Sequence, residues 1–235
     1  MFENRRLQLK NILKEKDYDI VMIDSPWNLY YYSGFTGGEA MLVIPINSTD
    51  DECYLITDSR YYEQVEKECQ DITLVRLDNK TYIEKIDNLL NETRKLCQRE
   101  KRRVAIEGTM NLSRYLKLVE ACDGDTLIVD SDRINESRKV KDNNELQLLR
   151  RAEEIGDEAF THVVDIIKPG ISERELALEL EFFMKKQGAS KLSFDTIVAS
   201  GPNSSMPHAQ VTDRIIENGD FITMDFGCVY KGYCS

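Results

Sequence analysis

The sequence predicts an α/β (α+β) protein, and three observations carry that expectation. From Phe2 to about Asp130, short apolar runs of strand length alternate with segments of helical period, the pattern that builds a sheet flanked by helices. A charged, aperiodic stretch from Asp130 to Lys141 then marks a junction, which divides the chain into a first domain, 1–135, and a second, 136–235. Beyond it, two helical segments with capping signals lead into β-rich runs separated by turn residues.

In order along the chain, Leu7, Leu9, Ile12 and Leu13 predict an amphipathic helix, and Ile20–Ile23, Met41–Ile44, Cys53–Ile56 and Ile72–Val75 read as strands. A polar helix is expected around Ile83 to Gln98, then a strand Arg103–Ile106, a helix Leu112–Ala121 and a strand Thr126–Val129. In the second domain, Leu148, Leu149, Ala152, Ile155, Ala159, Val163 and Ile166 recur at helical spacing after Asp142, with Glu145 three places on, and stop at Pro169-Gly170. A further helix opens at Ser172 with Glu175 in the capping-box position, carries Leu176, Leu180 and Phe183, and ends at Gly188. The remainder reads as β: Leu192 to Ser200, a loop Gly201 to Met206, then Asp220 to Asp225 and Cys228 to Ser235, with Lys231-Gly232 as a hairpin turn.

Composition narrows the function classes. Forty-two acidic against 31 basic side chains leave a net charge of -11 over 235 residues, so the broad basic face that a nucleic-acid backbone demands is not expected. The longest apolar runs, such as Met41 to Ile46, are far shorter than the roughly 20 residues of a membrane span. The N-terminus lacks the apolar core of a secretory signal, and a cytoplasmic location is expected. Cys53, Cys69, Cys97, Cys122, Cys228 and Cys234 form no C-x-x-C pair, so neither a zinc-finger spacing nor a disulfide framework is expected.

Two residues stand out as carriers of chemistry. His208 closes a turn-rich loop that follows the β run Phe194 to Ser200; such a loop can hold an imidazole at the mouth of a cleft, where it meets a substrate carbonyl. A plain surface histidine is the alternative. Asp225 sits in the apolar run Phe221 to Phe226. A buried carboxylate there needs a cation or donors to compensate it, and a metal ion would serve; an edge-strand acid facing water is the alternative. His162, on the first long helix of the second domain, reads as a helix-surface or hydrogen-bonded histidine. With Lys231-Gly232 as a two-residue turn, Tyr230 pairs with Tyr233, Val229 with Cys234 and Cys228 with Ser235.

Three segments share an order and spacing: Ser200-Gly201-x-Asn203-Ser204-x-x-Pro207-His208-Ala209, then Gly219-Asp220 through Asp225-x-Gly227, then Gly232-Tyr233-x-Ser235. Upstream stand Asn28-x-x-Tyr31-x-Ser33-Gly34-Phe35-x-Gly37, Thr57-Asp58-Ser59-Arg60-Tyr61, and Arg138-Lys139-x-Lys141 with Glu145-Leu146. Together these resemble the creatinase, prolidase and Xaa-Pro aminopeptidase family of metallopeptidases. The resemblance spans almost the whole chain. It implies a creatinase-like N-terminal domain followed by the first half of a pita-bread peptidase domain, and an Xaa-Pro peptidase that cleaves the bond before proline in a peptide or dipeptide substrate. It implies two divalent metal ions, manganese or cobalt, as cofactors of the complete enzyme. Asp225 matches the first of the family's metal-binding aspartates, and His208 matches the catalytic histidine that contacts substrate without being a ligand.

Of the family's two aspartates, one histidine and two glutamates, only Asp225 falls within these residues. The resemblance therefore implies the front portion of a longer enzyme, inactive alone and unable to hold the metals stably, or else a degenerate product. It also implies an unpaired sheet edge that makes the isolated chain poorly soluble. A homodimer is implied by analogy. The competing expectations are a non-catalytic peptide- or protein-binding module of the same fold and a creatinase-like C–N hydrolase.

Overall fold

The computed structural model describes residues 1–48, 52–78, 84–86, 88–89, 101–122 and 124–235. By its internal contacts the chain divides into two compact units, Met1–Val140 and Lys141–Ser235.

The first unit is built on a mixed sheet of β1 (Ile20–Ile23), β2 (Ala40–Pro45), β3 (Tyr54–Thr57), β4 (Thr73–Arg76), β5 (Arg103–Ile106) and β6 (Thr126–Val129), in the order β4-β3-β2-β1-β5-β6. β1 is antiparallel to β2 and parallel to β5, with Val21 opposite Ile44 on one side and Ile20 opposite Val104 on the other. Every residue of β1 and β2 is buried, which is why both read in sequence as unbroken apolar runs rather than alternating ones. Their side chains divide between two cores. Val21, Ile23, Leu42 and Ile44 pack with Leu9 and Leu13 of α1 (Phe2–Lys14) and with Leu29 and Tyr32 of α2 (Pro26–Ser33). On the opposite face, Ile20, Met22, Met41 and Val43 pack with Leu118 of α4 (Leu112–Ala121). A helix α3 (Tyr62–Glu68) contributes Val65 to the first core. Each such side chain fully removed from water contributes about 1.5–3 kcal/mol. The polar helix expected around Ile83 to Gln98 lies mostly outside the described residues; 84–86 and 88–89 are helical.

One expectation is corrected by the first helix. The buried face of α1 is Arg5, Arg6, Leu9, Lys10 and Leu13, whereas Leu7 is 55% exposed. Arg5 and Arg6 turn inward because their Nη1 atoms donate to the carbonyls of Tyr31 (3.2 Å) and Tyr32 (3.0 Å) at the end of α2. Cations are favoured there, at the negative end of the helix dipole. The charged stretch after Asp130 is ordered despite its lack of period. It forms the short helix α5 (Ser131–Ile134) and a 3₁₀ turn Glu136–Arg138, buries Ile134, and receives the Tyr31 hydroxyl on the Ser137 carbonyl at 2.8 Å. A mostly polar segment can dock without apolar periodicity when its backbone supplies the hydrogen bonds.

The second unit begins with α6 (Asn143–Val164) and α7 (Glu173–Lys186). Both carry complete capping boxes, Asp142 with Glu145 and Ser172 with Glu175. Ile155, Ala159 and Val163 of α6 face Leu176, Leu180 and Met184 of α7 over Val198 and Cys228. The single β run expected from Leu192 to Ser200 is instead two strands in two sheets. β7 (Lys191–Leu192) pairs with β10 (Cys228–Tyr230), and β8 (Ile197–Ser200) pairs with β9 (Ile222–Asp225). Ser193, Asp195 and Thr196 break the apolar pattern where the chain crosses between sheets. The expected hairpin forms: Tyr230 pairs with Tyr233 and Val229 with Cys234 of β11 (Tyr233–Cys234). Lys231 and Gly232 both take positive φ, 46° and 85°, as a primed two-residue turn requires. Gly227 has no room for a side chain, since a Cβ there would lie 2.3 Å from the Ser235 carbonyl oxygen.

Cys53, Cys69, Cys122 and Cys228 are buried and Cys234 is exposed; Cys97 lies outside the described residues. Among the described residues no helix is long and apolar enough to cross a membrane.

Candidate active site

β8 is buried along Val198, Ala199 and Ser200 and delivers the chain into a 3₁₀ turn, Gly201–Ser205. Gly201 is at φ +50°, and a Cβ on it would come within 2.5 Å of Asp220 Oδ1 and 2.6 Å of Arg214 Nη2. Only glycine fits that corner without displacing the ion pair behind it. The chain then turns through Pro207 and His208 and returns past Thr212 to α7, where the Glu173 and Arg174 amides donate to the Arg214 and Thr212 carbonyls at 3.0 and 3.2 Å.

The loop has two fastenings. In the outer one, Arg214 Nη1 donates to Asp220 Oδ2 (2.6 Å) and to Ser200 Oγ (2.6 Å), and the Glu217 amide donates to Asp220 Oδ2 at 2.8 Å. The guanidinium beside it, with that amide, holds the Asp220 carboxyl below its usual range. In the inner one, Glu173, wholly buried on the first turn of α7, accepts hydrogen bonds from Ser200, Asn203 and Thr212. Burial pushes the Glu173 carboxyl up, but the hydrogen bonds from Thr212, Ser200 and Asn203 outweigh it and the net shift is downward.

His208 is exposed and lines a cleft of about 450 Å³. Asp195, Thr196 and Ile197 line it where the chain enters β8, and Arg174, Leu178 and Glu181 come from α7. The Thr196 hydroxyl is buried and has no hydrogen-bond partner among the described residues. The cleft therefore offers an imidazole, a guanidinium, two carboxylates and an unsatisfied hydroxyl beside the apolar side chains of Ala177, Leu178, Ile197 and Val211. That donor set can orient a small peptide by its carbonyls and termini.

Asp225 lies at the end of β9, opposite Ile197, with its side chain exposed. It is not among the residues that line the His208 cleft, although its cross-strand neighbour Ile197 is. Its carboxylate is the hard oxygen donor that Mn²⁺ or Co²⁺ favours, yet no group of three or more His, Cys, Asp or Glu side chains that could hold a metal occurs among the described residues. The described residues do not make a metal site by themselves. His162 is a structural histidine: its Nε2 lies 2.7 Å from Glu179 Oε1 and its ring stacks on Phe183 at 4.4 Å.

Sequence reasoning missed Glu173, Thr212 and Arg214, and placed Gly219-Asp220 in the motif without a role for the Asp220 side chain. Glu173 immediately follows a capping serine, where an acid is expected for the helix dipole alone, so nothing local distinguishes it.

The creatinase/prolidase N-terminal domain family matches residues 5–140, and metallopeptidase family M24 matches residues 147–235. The chain is 36% identical over 230 residues to the uncharacterized peptidase YqhT of Bacillus subtilis, covering 97% of this chain and 62% of that protein. It is 32% identical to the Xaa-Pro dipeptidase of Pyrococcus furiosus, covering 99% of this chain and 63% of that protein. Among solved structures, the Xaa-Pro dipeptidase from Bacillus anthracis superposes with a TM-score of 0.87 at 35% identity, covering 100% of this chain and 63% of that one. The prolidase from Pyrococcus furiosus gives 0.84 at 31% identity, with 97% and 67% covered. The chain thus spans less than two thirds of the length of the curated relatives named here.

Proposed function

Because this chain belongs to the creatinase/prolidase family of metallopeptidases, we propose that its full-length gene product is an Xaa-Pro peptidase, hydrolysing the bond before proline in a dipeptide or longer peptide. His208 contacts the substrate, and Asp225 supplies one donor to a pair of divalent ions, manganese or cobalt, whose other donors come from outside these residues. The observation that carries the reading is the exposed imidazole held over the cleft that Arg174, Thr196 and Ile197 line.

The amide nitrogen of an X-Pro bond has no proton to donate, so recognition rests on the shape around the ring and on donors to the carbonyl. An imidazole N–H at the cleft mouth is such a donor, and it opposes charge developing on the carbonyl oxygen during attack. The family resemblance further supports a homodimer acting in the cytoplasm.

The test assays the full-length gene product against X-Pro dipeptides, longer X-Pro peptides and creatine, with and without Mn²⁺ or Co²⁺. Hydrolysis of X-Pro substrates is expected, with His208→Ala lowering kcat/KM about a hundredfold or more and Asp225→Asn weakening metal uptake. Creatine cleavage alone would replace the reading with C–N hydrolysis. Peptide binding without any hydrolysis would replace it with a binding module.

A further inference from the structure

The His208 ring receives no hydrogen bond from any described residue, so the backbone beneath it must decide where the imidazole points. We propose that Glu173 is the positioning residue of the His208 loop, a buried two-ended clasp whose oxygens hold the loop's opposite ends against the start of α7. The proposal rests on the reading of His208 as the substrate contact.

The two oxygens divide the work. Oε1 takes the outgoing end, accepting from Ser200 N at 2.7 Å, Ser200 Oγ at 2.9 Å and Asn203 Nδ2 at 3.1 Å. Oε2 takes the returning end, accepting from Thr212 N at 3.1 Å and Thr212 Oγ1 at 2.5 Å, and also receives a longer bond from Asn203 Nδ2 at 3.4 Å. Closing a loop at both ends on one rigid group removes most of the freedom that would let its tip wander. An ionised carboxylate is the one side chain that presents only acceptors at both oxygens. Glutamine in its place would turn an NH₂ toward one set of donors and release that end. The carboxylate is anchored in turn, since α7 is packed through Leu176, Leu180 and Met184. Glu173 lines no part of the cleft and acts through His208, as supporting residues do for the groups they orient.

The experiment uses the full-length gene product and the variants Glu173→Gln, His208→Ala and the double variant, read by hydrogen exchange and by X-Pro hydrolysis. Glu173→Gln is expected to speed exchange in peptides covering 200–214 while peptides covering 176–186 keep their protection. It is also expected to lower kcat/KM about tenfold to a hundredfold, the scale of a displacement near 1 Å, and to add no further loss in the His208→Ala background. Thr212→Val, which removes the hydroxyl donor to Oε2 together with the acceptor of Arg214 N and keeps the Thr212 amide bond to Oε2, serves if the glutamine variant does not fold, and should loosen the 206–214 side selectively. Unchanged exchange in 200–214 overturns the clasp. A full additional loss of activity on top of His208→Ala overturns the action through His208. If wild type cleaves no X-Pro bond, or His208→Ala is fully active, the proposed function falls and the positioning role with it. The exchange result would still report whether Glu173 holds the loop.

Discussion

The Tyr18 hydroxyl donates to Asp130 Oδ2 over 2.7 Å and ties the first strand region to a carboxylate that also receives Arg133. Burial, then the hydrogen bond to Asp130 and its charge, push the Tyr18 phenol from 10.0 to about 12. A phenol raised in the folded state favours folding fully below its unfolded value, and that contribution is lost as pH rises through the folded one. Wild type should therefore lose more stability than Tyr18→Phe between pH 10 and about 12; urea unfolding at pH 9 and pH 12 measures it, and equal losses would refute the linkage. A second residue-scale prediction concerns Arg102 and Asp125, whose paired side chains are 2% and 1% exposed. Asp125→Ala removes the buried carboxylate that receives the Arg102 main-chain N–H and guanidinium and should lower stability, about 3–5 kcal/mol being the scale for breaking a buried pair, read from the urea midpoint. Neither pair is legible in sequence, because Tyr18 and Asp130 are separated by most of a domain.

At the scale of elements, capping boxes and turns were legible because each is settled by residues within a few positions of one another. Asp142→Ala and Ser172→Ala should each cost about 1 kcal/mol, measured by thermal or urea unfolding. Gly227→Ala should weaken the β10–β11 hairpin, since its Cβ would meet backbone at 2.3 Å; an unchanged melting temperature would show that the hairpin adjusts freely. The α1 face illustrates the opposite case. Counting aliphatic residues points to Leu7, but the inward face is chosen by where Arg5 and Arg6 find carbonyls. Leu7→Gln should change stability by less than about 0.5 kcal/mol, whereas Leu9→Ala should cost about 2–5 kcal/mol.

At the scale of the molecule, each unit carries its own hydrophobic core. A chain ending at Val140 should therefore fold and unfold cooperatively by itself, which circular dichroism and Trp27 fluorescence can follow. The described residues gather no set of three metal donors. The candidate site was legible in part. His208 and Asp225 could be named from their motifs, but the structure places one on a cleft and the other on an exposed strand end beside it.

By itself the sequence determined the six strands and the helices Phe2–Lys14 and Leu112–Ala121 of the first unit, both capped helices of the second, the Lys231-Gly232 hairpin and the family. Each of these is encoded by periodicity, caps, turn chemistry or motif spacing over short stretches of chain. Tertiary structure alone decided that Glu173 clasps the His208 loop, that Arg5 and Arg6 point inward, that the run 192–200 splits between two sheets, and that the charged segment after Asp130 docks on the first unit. Those outcomes depend on donors and acceptors brought together from distant parts of the chain, and burial makes each unmet partner costly enough to override the local pattern.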